Sequence, residues 1–393
     1  MVSKRSVKHP RAFWRARRIF YLQNVIRAHI IKAVTLNIAG TFEAYTLQKV
    51  KEYHMATIKE IAALAGVSRG TVDRVLNNRG SVNANTAKKI EEIAKALDYR
   101  PNKAGLVLAA SKKRLKLGVI IFSAENPFFS DVLDGINSKA EELSEYNCSV
   151  LVKQIPINTE AQLKAINELV DADVNGIALA PCNDNRIRLR INELFEQGIP
   201  VVTLNTDIEN AKRLAYVGSH YTKSGATAAG LLRLMTSSEV FVGILTGSSD
   251  ILCHTERIAG FSSTLAPVSD RIHIVSVVET HDDEIESYEK TLALLNTHPE
   301  INALFFAAGG VYGGCRAVCS RRLGNRLKII AYDKAETTEQ FLRDNVLSAV
   351  ICQQPHTQGK KPLDILFTYL TTGEKPADEY YYTAVDIRIL ENI

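Results

Sequence analysis

Thr57-Ile-Lys-Glu-Ile-Ala-Ala-Leu-Ala-Gly-Val-Ser-Arg-Gly-Thr-Val-Asp-Arg-Val-Leu-Asn-Asn78 holds two short apolar faces of helical period: Ile58, Ile61, Ala62 and Ala65, then Val67, Val72, Val75 and Leu76. Gly66 sits between them, where a tight corner needs a positive φ that a Cβ resists. Thr57 with Glu60 has the spacing of a capping box, and Ser68 stands where the second helix needs its cap. Two helices of about eight residues joined this tightly read as a helix-turn-helix, whose second helix enters the DNA major groove. An ordinary αα-corner would lack the combination of turn, caps and a basic, small-residue second helix.

Downstream, Ile90, Ile93, Ala94 and Leu97 form a third apolar face that can close a three-helix core. Pro101 then pushes Arg100 out of the helical region. Residues 103–110 read as a brief helix of small and apolar residues, followed by a basic run to Arg114. Leu106, Val107 and Leu108 on such a connector call for an apolar partner.

The bulk numbers place this element in context. The 393 residues suffice for two or three domains, and 46% apolar with 23% charged residues is ordinary for a soluble globular chain. No run of eighteen apolar residues suggests a membrane span. The six cysteines form no metal-like CxxC pair and read as reduced thiols of a cytoplasmic protein. The net charge of +5 is unevenly spread. Residues 1–54 carry 11 basic and 2 acidic side chains, residues 55–115 carry 12 and 5, and residues 116–393 carry 25 and 36. Only the small N-terminal part is suited to face nucleic acid.

Residues 1–54 are basic and aromatic around 11–20 but lack a clean period, a cap or the pattern of a secretory signal. They can be read as an additional nucleic-acid arm or as an over-extended start. Met55 stands two residues before the first capped helix, and Lys51-Glu52 can be encoded by a purine-rich ribosome-binding site, so a start at Met55 is the expectation.

From Leu117 the pattern changes to buried strands alternating with amphipathic helices. Ten candidate strands are Leu117–Phe122, Ser149–Gln154, Gly176–Ala180, Val201–Leu204, Ala215–Val217, Val240–Thr246, Ile272–Val278, Ala303–Ala307, Lys328–Tyr332 and Ala349–Gln353. Near-continuous apolar strands separated by helices indicate parallel sheets covered on both faces, and ten exceed one comfortable sheet. The predicted fold is therefore α/β: a small all-α helix-turn-helix domain followed by two lobes with a cleft, ligands binding at the strand C-terminal ends.

With these residues in view, the chain from Met55 onward resembles the lactose-repressor (LacI/GalR) family of bacterial transcription regulators. The most specific stretch is Thr57–Leu108, TIKEIAALAGVSRGTVDRVLNNRGSVNANTAKKIEEIAKALDYRPNKAGLVL. The resemblance implies domains at 55–102 (DNA binding), 103–115 (hinge helix and linker) and 116–393 (effector binding and dimerisation). It implies a homodimer or tetramer on near-palindromic operator DNA, a hinge helix whose Leu108 wedges into the minor groove, and repression of carbohydrate or polyol metabolism. Thr57, Ser68, Arg69, Thr71 and Arg74 are the candidates on or beside the recognition helix, with Asn77, Asn78, Asn102 and Lys103 as backbone clamps. Arginine suits guanine O6/N7, whereas a phosphate contact gives affinity without sequence information. Gly70 departs from the larger side chain usual in the family.

The large part resembles the ribose-binding branch of the periplasmic sugar-binding fold. The effector-binding candidates are Asn126, Phe128 and Phe129 after the first strand, Asn205 and Asp207 after the fourth, Arg257 in a helix, and Asp333 and Gln353 at strand ends. Rings suit the C–H face of a sugar, while arginine and carboxylate groups suit vicinal hydroxyls. Ala308-Gly309-Gly310 replaces an Asn-Asp frequent in sugar-binding relatives, which allows an altered ligand: a sugar, polyol, cyclitol or sugar phosphate. Asp282-Asp283 lies near the same rim and is left unassigned.

The alternative class is a sugar-processing or phosphate-binding α/β enzyme with an accessory DNA-binding domain. The glycine-rich turns 246–249 and 309–314 would have to cradle its phosphate, yet neither matches GxxxxGK[ST] or a well-placed GxGxxG. No histidine falls in a metal or nucleophile motif. No enzymatic activity, cofactor or metal is expected.

Overall fold

A computed structural model describes residues 57–76, 82–97, 99, 114–122 and 126–393. The expectations for residues 1–54, for Asn77, Asn78, Asn102, Lys103 and Leu108, and for most of the 103–115 connector fall outside the described residues. The chain forms two compact units, Met1–Pro101 and Asn102–Ile393.

In the first unit, helices α1 (Ile58–Ala65), α2 (Arg69–Leu76) and α3 (Ala84–Ala96) enclose a small core. The capping box forms as the spacing predicts: Thr57 N–H donates to Glu60 Oε2 at 2.9 Å, and Glu60 N–H returns to Thr57 Oγ1 at 3.4 Å. Gly66 ends α1 at φ 73°, the left-handed conformation that turns the chain into α2. Ile61, Val72 and Ile90, one from each helix, are fully buried against one another's faces.

The second unit is two six-stranded sheets, each with helices on its faces. The first sheet contains β1 (Lys116–Phe122), β2 (Ser149–Ile155), β3 (Gly176–Leu179), β4 (Val201–Leu204), β5 (Ala215–Gly218) and β11 (Tyr380–Tyr382), in the order β11-β5-β4-β3-β1-β2. The second contains β6 (Val240–Thr246), β7 (Ile272–Glu279), β8 (Ala303–Phe306), β9 (Lys328–Tyr332), β10 (Ala349–Cys352) and β12 (Asp386–Arg388), in the order β12-β10-β9-β8-β6-β7. Every pairing is parallel except β10 with β12. In β8, Ala303 and Phe305 enter one core while Leu304 and Phe306 enter the other, the two-residue alternation of a sheet buried on both faces.

Three crossings join the lobes: between β5 and α7 (Tyr221–Met235), between β10 and α12 (Pro355–Thr372), and between β11 and β12. Helix α7 packs on α8 (Leu252–Leu265) in the second lobe, whereas α12 packs on α4 (Pro127–Ser144) and on β3–β5 in the first. Both helix pairs touch through glycine. A Cβ at Gly225 or Gly260 would overlap the backbone of the opposite helix of the α7–α8 pair, and one at Gly135 or Gly359 would do so between α4 and α12.

Candidate functional site

The helix-turn-helix presents its second helix outward. Ser68 accepts the Thr71 N–H at 3.1 Å, and the two hydroxyls are 2.9 Å apart, so both are engaged in capping α2. Arg69 and Arg74 are exposed. Arg74 folds back along its helix and donates through Nε to the Gly70 carbonyl at 3.1 Å. A Cβ on Gly70 would meet only Ser68 Oγ, at 3.8 Å, so the fold itself tolerates a side chain there. Thr57, the other candidate on this unit, is occupied by its capping box. One contact unmarked in the sequence reading is Lys89, on α3, which donates to the Ala65 carbonyl at 3.1 Å and secures the corner before Gly66.

In the second unit a narrow cleft, partly open to solvent and enclosing about 380 Å³ only when that open space is included, lies between the lobes at the C-terminal ends of the strands. The first lobe contributes Asn126, Phe128, Phe129 and Asn205; the second contributes Arg257 and Asp333; Gln353 comes from the crossing after β10. Seven of the eight effector candidates thus meet at one place.

Asn126 caps α4, its Oδ1 accepting the Phe128 N–H at 3.0 Å, which leaves its amide Nδ2 to donate elsewhere. Phe129 meets both Phe122 and Phe128 edge-on, so the aromatic wall belongs at once to the first-lobe core and to the cleft. Asn205 and Asp333 each follow a strand in the left-handed region, at φ 61° and 67°. Such strained backbone tends to gather at ligand-binding positions.

Arg257 is the centre of the polar wall. Its guanidinium lies 3.9 Å from the ring of Tyr332 and 4.7 Å from that of Tyr221. Nη1 donates to the Ala307 carbonyl and Nη2 to Gln353 Oε1, both at 2.7 Å. Gln353 Nε2 in turn donates to Asp333 Oδ1 at 2.7 Å. This chain orients two charged groups through a neutral amide, and Arg257 Nε is buried without a partner. Burial pushes the Asp333 carboxyl up to about 6, the nearby Arg257 charge only partly opposing it.

Asp207 departs from the expectation. Arg213 holds its carboxylate on both oxygens, Nε at 2.8 Å from Oδ1 and Nη2 at 2.6 Å from Oδ2, and Thr203 adds a third donor. That carboxylate is spent on the end of β4 and does not line the cleft. Conversely, sequence reasoning missed His254, and it left Asp282 unassigned; both line the cleft. His254 had no signal of its own, lying in the first turn of α8 rather than at a strand end. Of the two glycine-rich turns, the one at 309–314 opens α10 (Val311–Ser320), whose Gly313 N–H is already taken by the Glu284 carboxylate at 2.6 Å.

Comparison with known proteins agrees with this layout. Residues 57–102 match the family described as bacterial regulatory proteins, lacI family, and residues 117–375 match the periplasmic binding protein domain. The chain is 28% identical to catabolite control protein A of Priestia megaterium, covering 80% of this chain and 92% of that protein. It is 26% identical to the ribose operon repressor of Halalkalibacterium halodurans, covering 84% and 94%. It is 32% identical to the probable HTH-type transcriptional repressor ExuR of Bacillus subtilis, covering 62% and 71%. Among solved structures it resembles the XylFII molecule, with TM-score 0.64 and 26% identity over 70% of this chain and 98% of that one. The glucose-galactose binding protein GanP of Geobacillus stearothermophilus shares the fold, with TM-score 0.66 at 24% identity over 71% and 98%. With its capped helix-turn-helix followed by a two-lobed periplasmic-binding-protein domain, the chain belongs to the lacI family of bacterial regulatory proteins, the DNA-binding transcriptional regulators that respond to small molecules.

Proposed function

We propose that this regulator is a cytoplasmic repressor that binds operator DNA as a homodimer and is controlled by a neutral polyhydroxylated effector, a sugar or polyol, held in the cleft. The observation that carries the reading is the Arg257–Gln353–Asp333 chain facing an aromatic wall. It offers fixed donors and acceptors for vicinal hydroxyls and a ring or chain of C–H groups to cover the phenylalanines. The carboxylates of Asp333 and Asp282 line the same cleft as Arg257. His254, its imidazole held up at about 9, adds a second cation, so the two carboxylates are already balanced and a phosphate dianion would bring an uncompensated charge, which favours an uncharged ligand. Effector binding is read out through the lobes as a change in operator affinity; a coupling of about 1–3 kcal/mol corresponds to roughly 5–150-fold.

Thermal-shift measurements with neutral sugars, polyols and their phosphates test this directly. A ligand at about 100 times its Kd adds about 2.7 kcal/mol. Stabilisation by a neutral compound that also changes operator binding in a gel-shift assay is the expected result. Stabilisation by phosphorylated compounds alone would reverse the charge argument. No helix among the described residues is long and apolar enough to cross a membrane.

A further inference from the structure

On the second-lobe side of the cleft, His254 and Asp282 face each other with Nε2 and Oδ2 3.9 Å apart, too far for a direct hydrogen bond. Each is held from behind. His254 Nδ1 lies 3.1 Å from both the N–H and the carbonyl oxygen of Ser248, and although burial opposes the charge, Cys253 and the Asp282 carboxylate hold the imidazole up at about 9, so Nε2 carries a proton. Gly309 N–H donates to Asp282 Oδ1 at 2.7 Å, which leaves Oδ2 to accept. His254 is 7% exposed, and the close fit depends on Gly247, where a Cβ would overlap the imidazole.

Gly309 explains why a carboxylate reaches this place. A Cβ on Gly309 would come within 3.0 Å of Asp282 and 3.1 Å of Asn126 Nδ2. The bare backbone at 308–310 therefore makes room between the two lobes. Asp282, itself at φ 60° after β7, brings a polar group up to that space.

We propose that His254 and Asp282 form a donor–acceptor pair that receives one hydroxyl of the effector beside Gly309, and so decide which polyhydroxylated compounds bind. A hydroxyl oxygen about 2.8 Å from both groups would see them at an angle of about 90°, accepting from Nε2 and donating to Oδ2. A ligand lacking that hydroxyl leaves the buried His254 donor and the half-buried Asp282 carboxylate facing an apolar position, and this is what makes such a pair selective. The assignment rests on the neutral-effector reading above.

The test uses the full chain and calorimetric titration with a panel of pentoses, hexoses, pentitols and inositol, followed by the monodeoxy analogues of whichever compound binds. One monodeoxy analogue is expected to bind the unmodified protein about 10- to 100-fold more weakly. Asp282→Asn and His254→Ala should weaken the parent compound by a similar factor and abolish the penalty for that analogue. His254→Gln, which restores a donor near Nε2, should recover part of the affinity and guards against a folding defect. Parent affinity unchanged in both variants, while Arg257→Ala abolishes binding, would overturn the pair and leave the effector reading standing. Failure of every neutral compound to bind the unmodified protein would overturn both.

Discussion

Gly225 lies directly against the backbone of Arg257: a Cβ at Gly225 would overlap the Arg257 carbonyl oxygen. The contact is mirrored by Gly260, which presses on Thr222 of α7. The position of the arginine in the cleft is thus set by how closely two helices approach, several atoms away from any ligand. Gly225→Ala should push α8 outward and displace the guanidinium from the rings of Tyr221 and Tyr332. Overpacking of this kind costs about 1–3 kcal/mol, and for a domain of this size lowers Tm by roughly 2–4 °C per kcal/mol. Calorimetry should show the lower Tm, and titration should show effector affinity falling while operator affinity in the absence of effector stays near its original value. Unchanged effector affinity would mean that the arginine does not depend on this crossing.

The strands β1–β10 were legible because each carries an apolar run between helical segments; eight of them are buried on both faces, while the edge strands β2 and β7 are partly exposed. β11 and β12 were not. Tyr380–Tyr382 and Asp386–Arg388 are three residues each, partly exposed, and become strands only because β5 and β10 offer open edges. The cleft followed the same division. Asn205, Asp333 and Gln353 could be read because they directly follow strands, where a doubly wound sheet places its ligand. Asp207 lies in the same turn, three residues past the end of β4, but Arg213, six residues later, claims its carboxylate. His254 depends on a glycine at 247 and a carboxylate at 282, a tertiary arrangement with no local spacing to announce it.

The guanidinium of Arg257 uses its fork: Nη1 and Nη2 bind different partners while its central carbon lies over the rings of Tyr332 and Tyr221. Lysine keeps the charge but has neither the fork nor the planar face. Arg257→Lys is therefore expected to weaken effector binding by about 10-fold or more, since each lost charged hydrogen bond is worth about 1.5–3 kcal/mol. Titration calorimetry checks this, with operator binding as the control. Full retention of affinity would show that charge alone suffices.

Asp333 gives the cleft a pH dependence of defined sign. Its carboxyl, raised by burial to about 6, is ionised at pH 7 and largely protonated at pH 5. Ligand hydroxyls donating to it favour the ionised form, so affinity should be flat above pH 7 and about tenfold weaker at pH 5. Stability of the ligand-free protein should move the opposite way. A carboxyl whose folded pKa exceeds its unfolded value destabilises the fold when ionised, so this contribution improves as the pH falls from about 6 towards 4. Comparison with Asp333→Asn isolates both effects. A pH profile of affinity identical in the two proteins would remove Asp333 from the ligand's contacts.

On the DNA side, Arg69 and Arg74 differ in what holds them. Arg74 is tethered to its own helix by the bond from Nε to the Gly70 carbonyl, an arrangement suited to a fixed phosphate contact. Arg69 opens α2, exposed, next to a glycine that leaves the neighbouring surface bare. It can therefore approach a base edge without competition from residue 70. Arg69→Ala should cost about 1–3 kcal/mol on the operator, the value of a bidentate contact to guanine, and little on random DNA. Arg74→Ala should weaken both by a similar factor and lower the salt dependence of binding by about one charge. Fluorescence anisotropy with operator and scrambled duplexes at several salt concentrations separates the two roles. Equal losses on both duplexes for Arg69→Ala would make it a second phosphate contact and move sequence reading elsewhere on the helix.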